Sequence, residues 1–146
     1  MEVIQDRTLN DIVVEDMMIP SEKVAHVQLN NPLEHALLVL VKSGYSAVPV
    51  LDTSFKFVGI IGKTVILNQT LGMEQFEVDK LSTMRVSEVM HTDIPTLSAG
   101  EHFISALKKV INHPFVCVTD EEDYFIGILT RRAILKAVQR NYFQDK

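Results

Sequence analysis

The sequence predicts an α/β (α+β) fold built from two copies of one β-α-β-β-α unit, packed around a pseudo-twofold axis. Three observations carry that reading. The chain repeats itself, apolar helical faces alternate with β-rich runs in the same order twice, and no Gly/Ser-rich linker separates the copies. Val14-Glu15-Asp16-Met17-Met18 matches Val86-Ser87-Glu88-Val89-Met90 at an offset of 72. Val48-Pro49-Val50-Leu51-Asp52 matches Val116-Cys117-Val118-Thr119-Asp120 at 68, as does Gly59-Ile60-Ile61 with Gly127-Ile128-Leu129. The change of offset implies four extra residues in the first copy between its Met and its first long helix.

The elements follow in order. In the first copy Asn31-Pro32-Leu33-Glu34 reads as a helix start, with an Asn cap, Pro in the first turn and Glu three residues after the cap. Leu33, Ala36, Leu37, Leu40 and Val41 form one apolar face, and Gly44 ends the helix by taking the left-handed conformation. In the second copy Ser98 and Glu101 form the capping pair, Phe103, Ala106, Leu107, Val110 and Ile111 the face, and Asn112 the closing cap. The β-rich runs are 46–51 and 115–119. A polar turn follows each (Asp52-Thr53-Ser54; Asp120 to Asp123), then strands over 55–61 and 124–129. Closing helices begin near Lys63 and Thr130. The organisation is an N-terminal segment 1–11, repeat one 12–72, a linker 73–83 and repeat two 84–142.

Composition narrows the function classes. The chain has 146 residues, 47% hydrophobic and 23% charged, which is enough apolar material for a core. A net charge of −5 argues against wrapping nucleic acid. The lone Cys117 lies in an apolar run and reads as a buried strand thiol, fitting a reducing compartment. The N-terminus lacks the pattern of a secretory signal, and no apolar run approaches the roughly 20 residues of a membrane span. The expectation is a soluble, cytoplasmic protein.

Several signals are set aside. Gly59-Ile60-Ile61-Gly62-Lys63-Thr64 has two residues between its glycines where a P-loop needs four, so no phosphate cradle forms there. His26, His35, His91, His102 and His113 lack metal-ligand spacing, and no metal is expected. Met17, Met18 and Met90 read as core. Glu121, Glu122 and Asp123 are solvated turn acids, and no nucleophile has a base placed beside it by a known motif. No catalytic residue is identified.

The short segment ending in Met (Asp16-Met17-Met18; Glu88-Val89-Met90), the helix, the strand with Val-Pro-Val and the strand with Gly-Ile-Ile or Gly-Ile-Leu resemble the CBS domain, here in tandem over about residues 12–140. Lys23 to Val27, Glu34 to Leu40 and the pair Arg131-Arg132 are most similar to the stand-alone CBS pairs of Gram-positive bacteria that bind cyclic di-AMP. The resemblance implies two clefts between the halves. One takes Lys23, Ala25, Tyr45, Ser46, Ala47 and Pro49 from repeat one and Thr130, Arg131 and Arg132 from repeat two. The other takes Ile94, Pro114, Phe115 and Val116 with Gly62, Lys63 and Thr64. There Phe115 replaces a small residue and Gly62 the Thr, so the second cleft is expected to be blocked or weak.

The first cleft has the residues for an anion. Thr130 stands where a strand meets a helix, whose N-terminal N–H groups and positive dipole end attract phosphate. It can cap that end or donate its hydroxyl to a phosphate oxygen. Arginines in a first turn oppose the dipole by about 0.3–1 kcal/mol, a conflict that a phosphate removes. Ala25 and Ala47 leave room for a flat ring. The residues alone also allow a bland reading, in which Arg131 and Arg132 are solvated surface side chains; the resemblance favours the ligand. Many AMP- or ATP-binding repeats hold ribose hydroxyls with Asp or Asn three residues after the Thr. Here those places are Ala133 and Val65, which favours a cyclic dinucleotide with esterified 3′-oxygens.

The resemblance therefore implies a cyclic di-AMP receptor with no cofactor, acting as a homodimer on a target protein such as a stringent-response alarmone synthetase, with no role for nucleic acid or membrane. The alternatives are an AMP, ADP or ATP energy sensor on the same fold, or a ligand-free interaction module.

Overall fold

The computed structural model describes residues 9–71 and 77–144, so most of the N-terminal segment 1–11 and part of the linker 73–83 fall outside the described residues. Contacts divide the chain into a central unit, residues 25–94, and a terminal unit formed by residues 1–24 with 95–146.

The central unit holds β2 (Val27–Gln28), α2 (Leu33–Ser43), β3 (Ala47–Leu51), β4 (Phe57–Gly62), α3 (Lys63–Thr70) and the short α4 (Lys80–Thr83). Its sheet runs β2-β3-β4, with β2 parallel and β4 antiparallel to β3. The terminal unit holds α1 (Val14–Met17), β1 (Ile19–Pro20), β5 (Thr96–Ser98), α5 (Phe103–Val110), β6 (Phe115–Thr119), β7 (Phe125–Thr130) and α6 (Arg131–Gln144). Its sheet runs β1-β7-β6-β5. Each unit thus shows the expected β-α-β-β-α order. Each has its own core: Leu33, Ala36, Leu40, Val48, Val50 and Ile61 in one, Phe103, Ala106, Val110, Val116, Val118 and Leu129 in the other. Complete burial of a Leu, Ile or Phe contributes about 1.5–3 kcal/mol.

The opening segment of each repeat joins the unit that carries the body of the other. Val14 and Met17 lie in the terminal core, whereas their counterparts Val86 and Val89 lie in the central core. Backbone bonds repeat at the same spacing. Phe103 N–H donates to Ile12 O and Leu33 N–H to Met84 O, both at 3.0 Å. Ile19 pairs with Ile128 and His91 with Ile60. A glycine beside each contact admits the segment. A Cβ on Gly127 would stand 2.4 Å from Ile19 O, and one on Gly59 would stand 2.6 Å from His91 O. The repeated Met packs over the same place, with the Met18 and Met90 sulfurs 3.1 and 3.3 Å from those positions.

Several sequence expectations change. The buried residues of α2 and α5 correspond at an offset of 70, so two of the four extra residues precede α2 and two follow its core face. The helices begin after Pro32 and His102, later than the Asn31 and Ser98 caps imply. Asn31 Oδ1 instead accepts from Gln28 N–H (2.8 Å), and Glu101 accepts from Ser98 N–H (2.8 Å). The helices' first N–H groups are met from the distant opening segments, including Asn10 Oδ1, which accepts from Ile104 N–H at 3.1 Å. Gly44 closes α2 as expected, at φ 80°. Asn112 is not left-handed: among the described residues, the non-glycine residues with positive φ are Phe55 and Asp123. Val41 and Ile111 are exposed, since the eighth position after a core residue has rotated about 80° off the buried face.

Phe55 and Asp123 occupy the same place in the two hairpin turns, at φ 72° and 71°. That conformation costs roughly 1–2 kcal/mol for a residue with a side chain. A repeated carboxylate offsets it. Asp52 Oδ1 accepts from Ser54 and Lys56 N–H, and Asp120 Oδ1 from Glu122 and Tyr124 N–H. Cys117 is buried in β6, and burial pushes its thiol far above the ordinary value, so it stays protonated and inert. Among the described residues, no helix is long and apolar enough to cross a membrane.

Gly59→Ala and Gly127→Ala should each destabilise the fold by about 1–3 kcal/mol in urea unfolding, because the facing atom is backbone. Gly100→Ala, with nothing within 4 Å of the added methyl, should fall within about 0.5 kcal/mol of the parent. Burial raises the Glu101 carboxyl, but bonds from Ser105 and Ser98 and the charge of Lys109 outweigh it and hold the pKa below 4.5. A lowered folded-state pKa gives stability that is present above the unfolded value and lost as pH falls through the folded one. Glu101→Gln should therefore be less stable than the parent at pH 7, with the gap closing in acid.

Candidate functional site

The expected site residues fall on both units. Lys23, Thr130, Arg131 and Arg132 belong to the terminal unit; Ala25, Tyr45, Ser46, Ala47 and Pro49 belong to the central one.

In the central unit, β3 is reached through an exposed Tyr45, whose N–H donates to Ser43 Oγ at 3.3 Å. Ser46 is exposed, and its carbonyl accepts from Lys63 N–H (3.0 Å), tying the strand's entry to the start of α3. Ala47 is half-buried opposite Gly62, and Pro49 is buried opposite Ile60. Ala25 is half-buried and packs on the central core just before β2. A Cβ on Gly62 would meet Ser46 O at 3.1 Å.

In the terminal unit, Lys23 ends a 3-10 turn (Ser21–Lys23) and is exposed. Thr130 closes β7 and caps α6: its Oγ1 accepts from Ala133 N–H at 3.0 Å. A hydroxyl that accepts there keeps its own proton to donate, so capping and phosphate binding are compatible. Ala133 is half-buried against the terminal core, and its methyl offers no carboxylate.

The two arginines have different occupations. The Arg131 guanidinium donates from Nε to Val110 O (2.9 Å) and from Nη2 to Ile111 O (3.3 Å), and its backbone N–H donates to Pro114 O (2.8 Å). It closes the C-terminal end of α5, supplying what the sequence assigned to Asn112, and the cation meets the negative end of that helix dipole. Sequence reasoning missed this role, because the partner carbonyls lie some twenty residues upstream. Arg132 is exposed, and no described residue bonds its guanidinium. It is the side chain at this helix start left to grip an anion. Of the backbone donors at this helix start, Arg131 N–H and Ala133 N–H are already engaged.

The second set is dissimilar. Lys63 N–H repeats the Arg131 backbone bond, but the cap before it is Gly62, with no side chain to offer. Phe115 is half-buried opposite Thr130. A shallow apolar groove on the central unit, lined by Pro32, His35, Leu38, Val41 and Leu81, was not anticipated and offers no cation to a phosphate. Among the described residues, no three His, Cys, Asp or Glu side chains gather to hold a metal.

Two repeats with these caps, turns and glycine contacts define a tandem regulatory-type module, and the chain belongs to the CBS domain family, whose model matches residues 14–71 and 86–140. Cyclic di-AMP receptor B of Bacillus subtilis is 46% identical over 138 residues, covering 94% of this chain and 94% of that protein. CbpB of Listeria monocytogenes, solved in complex with c-di-AMP, is 46% identical with a TM-score of 0.83, over 91% of this chain and 98% of its own. A CBS domain-containing protein of Bacillus anthracis is 55% identical with a TM-score of 0.85, over 90% of this chain and 96% of its own.

Removing Arg131 leaves two helix-end carbonyls without their donor. Arg131→Ala should lose about 1 kcal/mol of stability in urea unfolding, whereas Arg132→Ala should stay within about 0.5 kcal/mol of the parent.

Proposed function

We propose that this chain is a cyclic di-AMP receptor, a regulatory module that signals through nucleotide-dependent binding to a target protein. The observation that carries the reading is the 46% identity, over nearly the full length of both chains, to the Bacillus subtilis cyclic di-AMP receptor. The helix start adds chemistry to that likeness. Thr130 caps and keeps a proton to donate, and Arg132 stands free with a planar fork suited to phosphate. The proposed nucleotide contacts are Lys23, Ala25, Tyr45, Ser46, Ala47, Pro49, Thr130 and Arg132, with Arg131 acting through its grip on α5. Ala133 in the place of a ribose-binding acid favours the cyclic dinucleotide over AMP or ATP.

The module acts as a receptor rather than a catalyst, in the cytoplasm, as a homodimer, and its target is a protein such as a stringent-response alarmone synthetase. Its response is bounded by thermodynamics: the nucleotide shifts partner binding only by its difference in affinity for the free and docked forms.

Calorimetric titration with cyclic di-AMP, AMP, ATP and cyclic di-GMP tests the reading. Selective binding of cyclic di-AMP is expected, weakened at least about tenfold (about 1.4 kcal/mol) by Arg132→Ala. Tighter binding of AMP or ATP would turn the protein into an energy sensor, and unchanged affinity in Arg132→Ala would remove the arginine from the site.

A further inference from the structure

The hairpin turn of the central unit holds a bulky ring in a conformation that the terminal unit gives to a tolerant residue. Phe55 stands at φ 72° and its counterpart Asp123 at 71°. Asp and Asn enter the left-handed region more readily than other residues with side chains, and a phenylalanine there is an outlier. The carboxylate that supports the turn is the same in both units, so it gives no reason for the ring. What the ring touches supplies one. Phe55 is 39% exposed and meets the His26 ring in a T-shaped contact, with centroids 5.4 Å apart and planes at 84°. Val27 pairs with Val50 as Leu97 pairs with Val118, so by register His26 corresponds to Thr96 and Ala25 to Pro95. The terminal unit therefore has no ring at either place. There Thr96 is itself paired, with Cys117, inside β5, whereas β2 starts at Val27 and leaves Ala25 and His26 ahead of the ladder. The aromatic contact stands where the terminal unit has strand pairing.

We propose that the contact of Phe55 with His26 braces Ala25, and that both are positioning residues of the nucleotide site; the inference rests on the cyclic di-AMP reading, which assigns Ala25 to the base. Ala25 is half-buried on the central core and has only a methyl with which to hold its place. A flat base needs that wall at a fixed depth. A rigid ring contact on the next residue sets the depth before the ligand arrives, which lowers the ordering cost of binding. The left-handed Phe55 then has a use, in keeping with the gathering of backbone outliers at ligand sites. The asymmetry runs the same way as that of the helix starts. The ring pair lies in the unit that carries Ala25, Tyr45 and Ala47, and the terminal unit, which carries Phe115, has neither ring. Two other roles make different demands. A hairpin contact serving the fold alone would be felt in stability and not in affinity. A His26 ring that touched the nucleotide itself would not need Phe55.

The test is a double-mutant cycle on the full chain, read by calorimetric titration with cyclic di-AMP and by urea unfolding. Phe55→Asn keeps a residue that accepts the left-handed turn, and His26→Thr installs the residue of the other repeat. Each should weaken cyclic di-AMP about fivefold. The double variant should also lose about fivefold, not the product of about 25-fold, because either change already breaks the one brace. Phe55→Tyr, which keeps the ring, should bind within about twofold of the parent. Both single variants should unfold within about 0.5 M urea of the parent's midpoint. Parent-like affinity in Phe55→Asn or in His26→Thr overturns the proposal, and so does an equal loss in Phe55→Tyr and Phe55→Asn. Losses that multiply in the double variant would make His26 a direct contact, and a larger fall in the Phe55→Asn midpoint would make the ring a fold contact; either result overturns the brace. A parent that binds no cyclic di-AMP fails the receptor reading and this inference with it. A parent that binds, with variants that bind alike, fails the inference alone.

Discussion

Each half of this chain is completed by the opening segment of the other, and the rest of the structure depends on that exchange. A helix leaves its first N–H groups without partners, and a sheet leaves an edge. In both units these needs are met by backbone from the far repeat. Ile12 and Met84 carbonyls cap α5 and α2; Val14 and Glu15 N–H donate to Glu101 and Ala99, as Val86 and Ser87 N–H donate to Asn31 and Leu29. The segment then lies along the last strand of the unit, where Gly127 or Gly59 gives the space. Neither repeat could form its core alone, because Val14 and Met17 belong to one core and Val86 and Val89 to the other.

The exchange accounts for the offsets. Segments that open a repeat recur at 72, the helices at 70 and the strand pair at 68. Insertions have gathered in the loops between these blocks, and the bonds that join the blocks persist. The duplication is not strict. The terminal unit has a paired strand at Ile19–Pro20, while the corresponding contact in the central unit is the single bridge of His91 with Ile60. The closing helix α6 runs to fourteen residues, and its counterpart α3 to eight.

What the sequence made legible was the part governed by neighbours along the chain. The i, i+3, i+7 spacing of Leu33, Ala36 and Leu40, the left-handed Gly44 and the β-runs on either side of Asp52 and Asp120 depend on local geometry, and they stand where that geometry puts them. The misread positions are those where a distant group wins. Asn31 and Ser98 have the right chemistry for caps, but Met84 and Ile12 reach the helix ends first. Asn112 could have taken a left-handed cap, but Arg131 already holds the carbonyls such a cap would serve. In the candidate site, residue types were legible and their division of work was not, since nothing local distinguishes Arg131 from Arg132.

The division follows from the helix itself. Consecutive residues on a helix point about 100° apart, so the two arginines leave the first turn in different directions. Arg131 meets the end of α5, where a negative dipole end and two carbonyls compensate its charge. Arg132 has no such compensation among the described residues and sits at the wrong end of its own helix dipole. A residue placed against its local field is held there by something outside the fold or costs stability for nothing. The corresponding place in the central unit carries Thr64, next to Lys63, and the cap before it is a glycine. The two helix starts therefore differ: one has a capping hydroxyl and an exposed guanidinium, the other a glycine cap followed by Lys63 and Thr64. That asymmetry in a duplicated chain is what supports the proposal of the Thr130 end as the one for a nucleotide phosphate.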